Sequence, residues 1–119
     1  MSVSIHLSRK QFFIAAEHKE AALAAAKPIY GHWVRKGDTD SCETLEELLE
    51  VWGYEAKNDG QGNITNISLT NEKLGEEKEM FKAIAPYVKA GSFLELSSED
   101  GSWRWIFDGT TCVSKEPGW

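Results

Sequence analysis

Two Asp-Gly pairs, Asp100-Gly101 and Asp108-Gly109, bracket the run Ser-Trp-Arg-Trp-Ile-Phe in the last third of the chain. Asp-Gly favours a two-residue hairpin turn, because both central residues of a type I′ turn take positive φ. A turn centred on Asp100-Gly101 pairs Ser98 with Trp103, Leu96 with Trp105 and Leu94 with Phe107. Strand alternation puts all six on one face, apolar except near the tip. The opposite face carries Phe93, Glu95, Ser97, Arg104, Ile106 and Asp108, with Arg104 opposite Ser97 and diagonal to Glu95, within reach of an ion pair. A second turn at Asp108-Gly109 pairs Phe107 with Thr110 and Trp105 with Cys112, which completes a three-stranded meander. A slip of one residue would turn the aromatic side chains toward water, so the inward face is strongly specified.

The rest of the chain supplies the partners for that face. Val3, Ile5 and Leu7 alternate with polar residues and predict a first strand. Ser8 with Gln11 fits a capping box, and Leu7 with Phe12 a hydrophobic staple, so a helix is expected from Ser8. Phe12, Ala16, Lys19 (by its stem), Leu23 and Ala26 follow helical spacing, and Pro28 and Gly31 stop the helix. Tyr30–Asp40 has no clear period and reads as an irregular connection, with a short extended piece at His32–Val34. A second helix follows in CETLEELLEVW, with Thr44/Glu47 or Asp40/Glu43 as capping box. Its inner stripe is Cys42, Leu45, Leu48 or Leu49, and Trp52; its outer stripe is Glu43, Glu47 and Glu50. Beyond Gly53, a hairpin about Asp59–Gly62 sets Trp52, Tyr54 and Ala56 against Leu69, Ile67 and Thr65. After the polar loop Asn71–Gly75, a third helix over Glu76–Ala85 points Met80, Phe81 and Ile84 inward and stops at Pro86. The order β-α-α-β-β-α-β-β-β predicts an α+β fold: a mostly antiparallel sheet ending in the three-stranded meander, with about three helices packed on one face.

With 119 residues, 41% of them apolar and five Trp, a single domain over residues 1–119 with a real core is expected. No apolar run approaches the ~20 residues of a membrane span. The start MSVSIHLSRKQFF lacks the apolar core of a signal peptide. Cys42 and Cys112 lie far apart and form no CxxC, so the expectation is a cytoplasmic protein with free thiols. The net charge of −6 is uneven: the first forty residues hold six Lys/Arg against four Asp/Glu, the remainder seven against fifteen. An acidic chain argues against nucleic acid or an anionic membrane as partner and is compatible with a basic protein.

Signatures of catalysis and metal binding are weak. Asp59-Gly60-Gln61-Gly62-Asn63-Ile64 resembles the middle of an EF-hand loop, but Lys57 and Ser68 stand where Ca²⁺ needs carboxylates, so a plain hairpin turn is expected. His6, His18 and His32 belong to no metal-binding spacing. A grouping of His32, Asp38, Asp40 and Cys42 is the best catalytic constellation available, and only proximity in sequence supports it. With no GxSxG, P-loop or GxGxxG, no cofactor, metal or catalytic residue is assigned, and a binding role is favoured over an enzyme.

The run EDGSWRWIFDG resembles strand pairs of small bacterial proteins, some of them immunity-type or phage-encoded; it contains no active-site residue, and no family is assigned from it. The sequence is therefore read as a small acidic protein-binding domain of bacterial type, in its sharpest form an immunity or inhibitor protein that neutralises a basic toxin or enzyme. Complementary charge speeds such an encounter. The expected binding residues are Glu43, Glu46, Glu47 and Glu50, with Trp33 and Trp103 as aromatic anchors. The competing reading of the glutamates is a solvated helix face. Two other classes stand beside this one: a small enzyme or ligand-binding domain with a pocket lined by His32, Trp33 and Tyr54, and a structural domain forming a homodimer through a sheet edge.

Overall fold

The computed structural model describes residues 6–31, 34–70, 77–98 and 101–115. They form an α+β fold with two antiparallel sheets rather than the one expected. A four-stranded sheet runs in the order β1 (His6–Gln11), β4 (Phe93–Ser98), β5 (Gly101–Phe107), β6 (Cys112–Lys115), and β2 (Tyr54–Asn58) pairs with β3 (Ile64–Leu69) in a second. Four α-helical segments complete it: α1 (Lys19–Ala26), α2 (Lys36–Asp40), α3 (Leu45–Val51) and α4 (Glu77–Ile84). No helix among the described residues is long and apolar enough to cross a membrane.

The helix expected from Ser8 is overturned. Residues His6–Gln11 are strand, paired with β4 and bulged at Ser8. The Ser8 hydroxyl, expected to cap a helix, instead meets Glu95 Oε2 at 3.0 Å and Ser97 Oγ at 3.1 Å across the sheet. A local capping pattern is worth about 1 kcal/mol and loses to a full row of strand pairing. The helix begins only after a 3-10 turn at Ala16–His18, and α1 buries Ala22, Leu23 and Ala26. The expected strand residues Val3 and Ile5 lie outside the described residues.

Between these two stretches, Ile14 forms an isolated bridge to Ile64, with reciprocal N–H to carbonyl bonds of 2.9 Å. This bridge ties the segment leaving β1 to β3, so one chain segment joins both sheets. Ile14 and Ile64 are fully buried.

The connection expected to be irregular contains α2. Thr39, buried, donates its hydroxyl to Lys36 O at 2.9 Å, and Lys36 pairs with Asp40 at 3.1 Å. The helix that follows is as read from the sequence: Thr44 accepts from the Glu47 N–H at 3.1 Å, and Leu45, Leu48, Leu49 and Trp52 are buried. Gly53, at φ 93°, reverses the chain into β2.

All three hairpins keep the expected inward faces but shift register by two residues. Tyr54 pairs with Leu69 and Ala56 with Ile67; Leu94 pairs with Trp105 and Leu96 with Trp103; Phe107 pairs with Cys112 and Trp105 with Ser114. An even shift preserves side-chain alternation, so Leu94, Leu96, Trp105, Phe107 and Cys112 are still buried. The cause is visible in the turns. Asp108 is not a central turn residue; it opens a longer turn as an acceptor, its carboxylate taking the Thr110 and Thr111 N–H groups at 2.9 and 2.8 Å. Asp59 does the same for Gln61 at 2.8 Å. Gly101 starts β5 opposite Ser98 instead of sitting within the turn.

At the centre, Phe81 of α4 meets Tyr54 edge-on at 5.5 Å, Phe107 edge-on at 5.8 Å and Trp105 at 5.3 Å. This aromatic cluster joins α4 to both sheets.

Candidate partner-binding surface

The short α2 lies beside α3 and leaves a groove of about 470 Å³ between them, lined by Asp38, Ser41, Cys42, Glu47, Glu50 and Val51. Its floor is set by backbone-directed bonds: Ser41 Oγ donates to Asp38 O at 3.0 Å, and Cys42 Sγ contacts the same carbonyl at 3.2 Å. Asp38, Glu47 and Glu50 are exposed and form no ion pair among the described residues. Among the described residues no basic side chain lines the groove. The result is a concave surface with three carboxylates that lack an ion pair among the described residues, Glu47 accepting a hydrogen bond from the Thr44 hydroxyl at 3.4 Å.

The four glutamates named from the sequence do not share one face. Glu47 and Glu50 line this groove. Glu43 precedes the N-cap Thr44 and lines a separate cleft of about 400 Å³ against α1, with Glu20 and Glu46. Glu46 is tied into the fold. Its Oε2 accepts from the Lys19 ammonium and, at 2.8 Å, from Asn58 Nδ2, while Lys19 also reaches Gly62 O at 2.8 Å. Burial pushes the Glu46 carboxyl up, but the hydrogen bonds from Lys19 and Asn58 outweigh it and hold the group below its usual range. This residue therefore joins α1, α3 and the β2–β3 hairpin. The signal for it in sequence is Lys19 itself, a lysine on the inward stripe that requires a carboxylate partner.

Trp103 is half-buried on the inner face of β5, opposite Leu96, and packs against the core. Its strand packs on β4 and β6, whereas α3 packs on α1, α2 and β2, so Trp103 is not brought to the acidic groove. Trp33 and His32 lie outside the described residues. Tyr54, named with them as a pocket residue, is fully buried against Phe81.

Of the constellation His32, Asp38, Asp40 and Cys42, the structure places Asp38 and Cys42 together in the groove and holds Asp40 to Lys36. Cys42 is 3% exposed, and burial, then the Glu47 carboxylate, push its thiol up, with Lys27 opposing and Asp38 adding a smaller push. A nucleophilic cysteine needs the opposite environment. Among the described residues no group of three or more His, Cys, Asp or Glu is placed to hold a metal ion. Asp38 is the groove carboxylate that the sequence does not assign to binding, because α2 has too few residues to show a helical period.

Comparison with protein-family models, with curated proteins and with solved structures finds no match.

Proposed function

We propose that this chain is a binding module that takes a basic protein segment on the acidic groove between α2 and α3. The carrying observation is the coincidence of Asp38, Glu47 and Glu50, each exposed and without an ion pair, around a concave surface with no basic side chain among the described residues that line it. Unpaired carboxylates on a concave surface focus negative potential, which draws in a cationic partner. Val51 and Cys42 supply the apolar patch against which a lysine or arginine stem can lie. In its sharpest form the partner is a basic enzyme or toxin that the chain inhibits, as an immunity protein does.

Titration with an oligolysine peptide, followed by backbone amide shifts, tests this. Saturable, salt-sensitive changes centred on residues 38–51, removed by the double substitution Glu47→Lys and Glu50→Lys, support the proposal. Changes scattered over the surface, or unaffected by the substitutions, reject it.

A further inference from the structure

A third concavity, of about 320 Å³, shares no lining residue with the acidic groove and has the opposite character. Three segments build it: the stretch leaving β1, with Phe13 and His18; the turn after α4, with Pro86, Tyr87 and Lys89; and Gly109. In a chain of net charge −6, no carboxylate among the described residues lines it. The Lys89 ammonium lies over the Phe13 ring, 5.7 Å from its centroid, and forms no ion pair among the described residues. The His18 ring stands 6.4 Å from the Tyr87 ring, tilted by 43°, and its Nε2 is 3.9 Å from the exposed Glu17 carboxylate.

The walls are fixed before any ligand arrives. Lys89 N–H donates to Phe13 O at 2.9 Å, which binds the first two segments together, and Gly91 N–H donates to Phe107 O at 3.0 Å. Gly109, at φ 94°, lies so close to Ala90 that an added Cβ would stand 3.3 Å from the alanine methyl. Preorganised walls reduce the ordering cost of binding.

The volume is at the lower end for small-molecule sites, enough for one ring with a short substituent. Phe13 and Tyr87 offer ring faces and edges for an aromatic group. Lys89 offers a charge-assisted bond that a carboxylate satisfies and that repels an ammonium. We propose that this cleft binds a small aromatic carboxylate. This proposal is independent of the basic partner assigned to the acidic groove.

The test is a titration of the whole protein with 4-hydroxybenzoate, followed by amide shifts. Benzamide serves as the ring without charge, acetate as the charge without ring, and inorganic phosphate as a general anion. Saturable binding with a dissociation constant on the order of a millimolar is expected, given the ligand's few atoms. Shifts should centre on residues 13–18, 86–90 and 109, and each comparator should bind at least ~tenfold more weakly, since each lacks one of the two recognised groups. Lys89→Gln should weaken binding ~tenfold through loss of the charged contact, and Lys89→Arg should retain it. Lys89 is exposed, among the described residues only its backbone enters hydrogen bonds, and its ammonium touches the fold through the Phe13 ring alone, so both variants should keep a melting temperature close to the parent's. Absence of saturation, equal binding of acetate or phosphate, or an unchanged affinity in Lys89→Gln overturns the proposal.

Discussion

Glu95 Oε1 and Arg104 Nε stand 2.9 Å apart, directly opposite one another across β4 and β5, on the face of the sheet turned away from Leu94 and Trp105. The guanidinium also lies over the Phe93 ring at 4.6 Å. The hydrogen bond from Arg104, ahead of an opposing desolvation effect, holds the Glu95 carboxyl below its usual range. A depressed carboxylate contributes stability that is complete above the ordinary glutamate value and is lost as pH falls through the folded-state value. Arg104→Gln should therefore destabilise the protein at neutral pH, and the difference from the parent should shrink as pH falls below ~4. Urea melts from pH 7 downward measure this; a constant difference would contradict the pairing.

Trp105 fixes the other side of the same strand. It is 7% exposed, meets Phe81 at 5.3 Å, and its ring nitrogen has no hydrogen-bond partner among the described residues. Trp105→Ala should cost ~3–5 kcal/mol by chemical denaturation, as large-to-small core changes do. Trp105→Phe should cost much less, since the unsatisfied N–H leaves with the indole.

Lys19→Met should destabilise by about 1–3 kcal/mol, because it leaves a partly buried Glu46 carboxylate without its cation. The double variant Lys19→Met with Glu46→Leu should recover part of that loss. A thermodynamic cycle on the four proteins gives the coupling. If Glu46 served only partner binding, Lys19→Met would leave the melting curve unchanged.

The two thiols give a separate check on burial. Cys112 is fully buried, and burial, then the Asp108 carboxylate, push its thiol up to about 12. Cys42 is shifted in the same direction. The thiolate is the reactive form, so Ellman's reagent at pH 8 should label neither at the rate of a free cysteine. Both should react at once in denaturant. Rapid labelling of Cys42 in the native protein would show that the groove opens to its floor.

The binding proposal makes a kinetic prediction. Once a basic partner is in hand, Glu47→Lys with Glu50→Lys should slow association ~tenfold at low salt and flatten its salt dependence, as loss of steering does. Glu43→Lys, in the other cleft, should have a smaller effect. Stopped-flow binding at two ionic strengths distinguishes these outcomes.

What the sequence revealed and what it concealed follow from range of interaction. The inward faces of β4, β5, α3 and α4 were legible, because alternation and helical spacing are local and burial enforces them. Turn register was not. Asp-Gly fits both the centre of a two-residue turn and the opening of a longer one, and side-chain acceptors decide between them. Ser8 was misread because its partners Glu95 and Ser97 are remote in sequence. The groove was half legible: Glu47 and Glu50 stood out on α3, while Asp38 depended on a helix too short to announce itself.

The pairing of β1 with β4 bears on how the chain is made. Ser8 meets Glu95 across 87 positions of sequence. On the ribosome, β1 must wait for more than eighty further residues before its partner emerges. Ile14 can dock on Ile64 earlier, so the smaller hairpin offers an interim shelter for the segment that follows β1. Folding dominated by such distant pairing is slow. During synthesis the nascent chain should thus be a substrate for chaperones, with protection of β1 from protease gained only when β4 clears the exit tunnel.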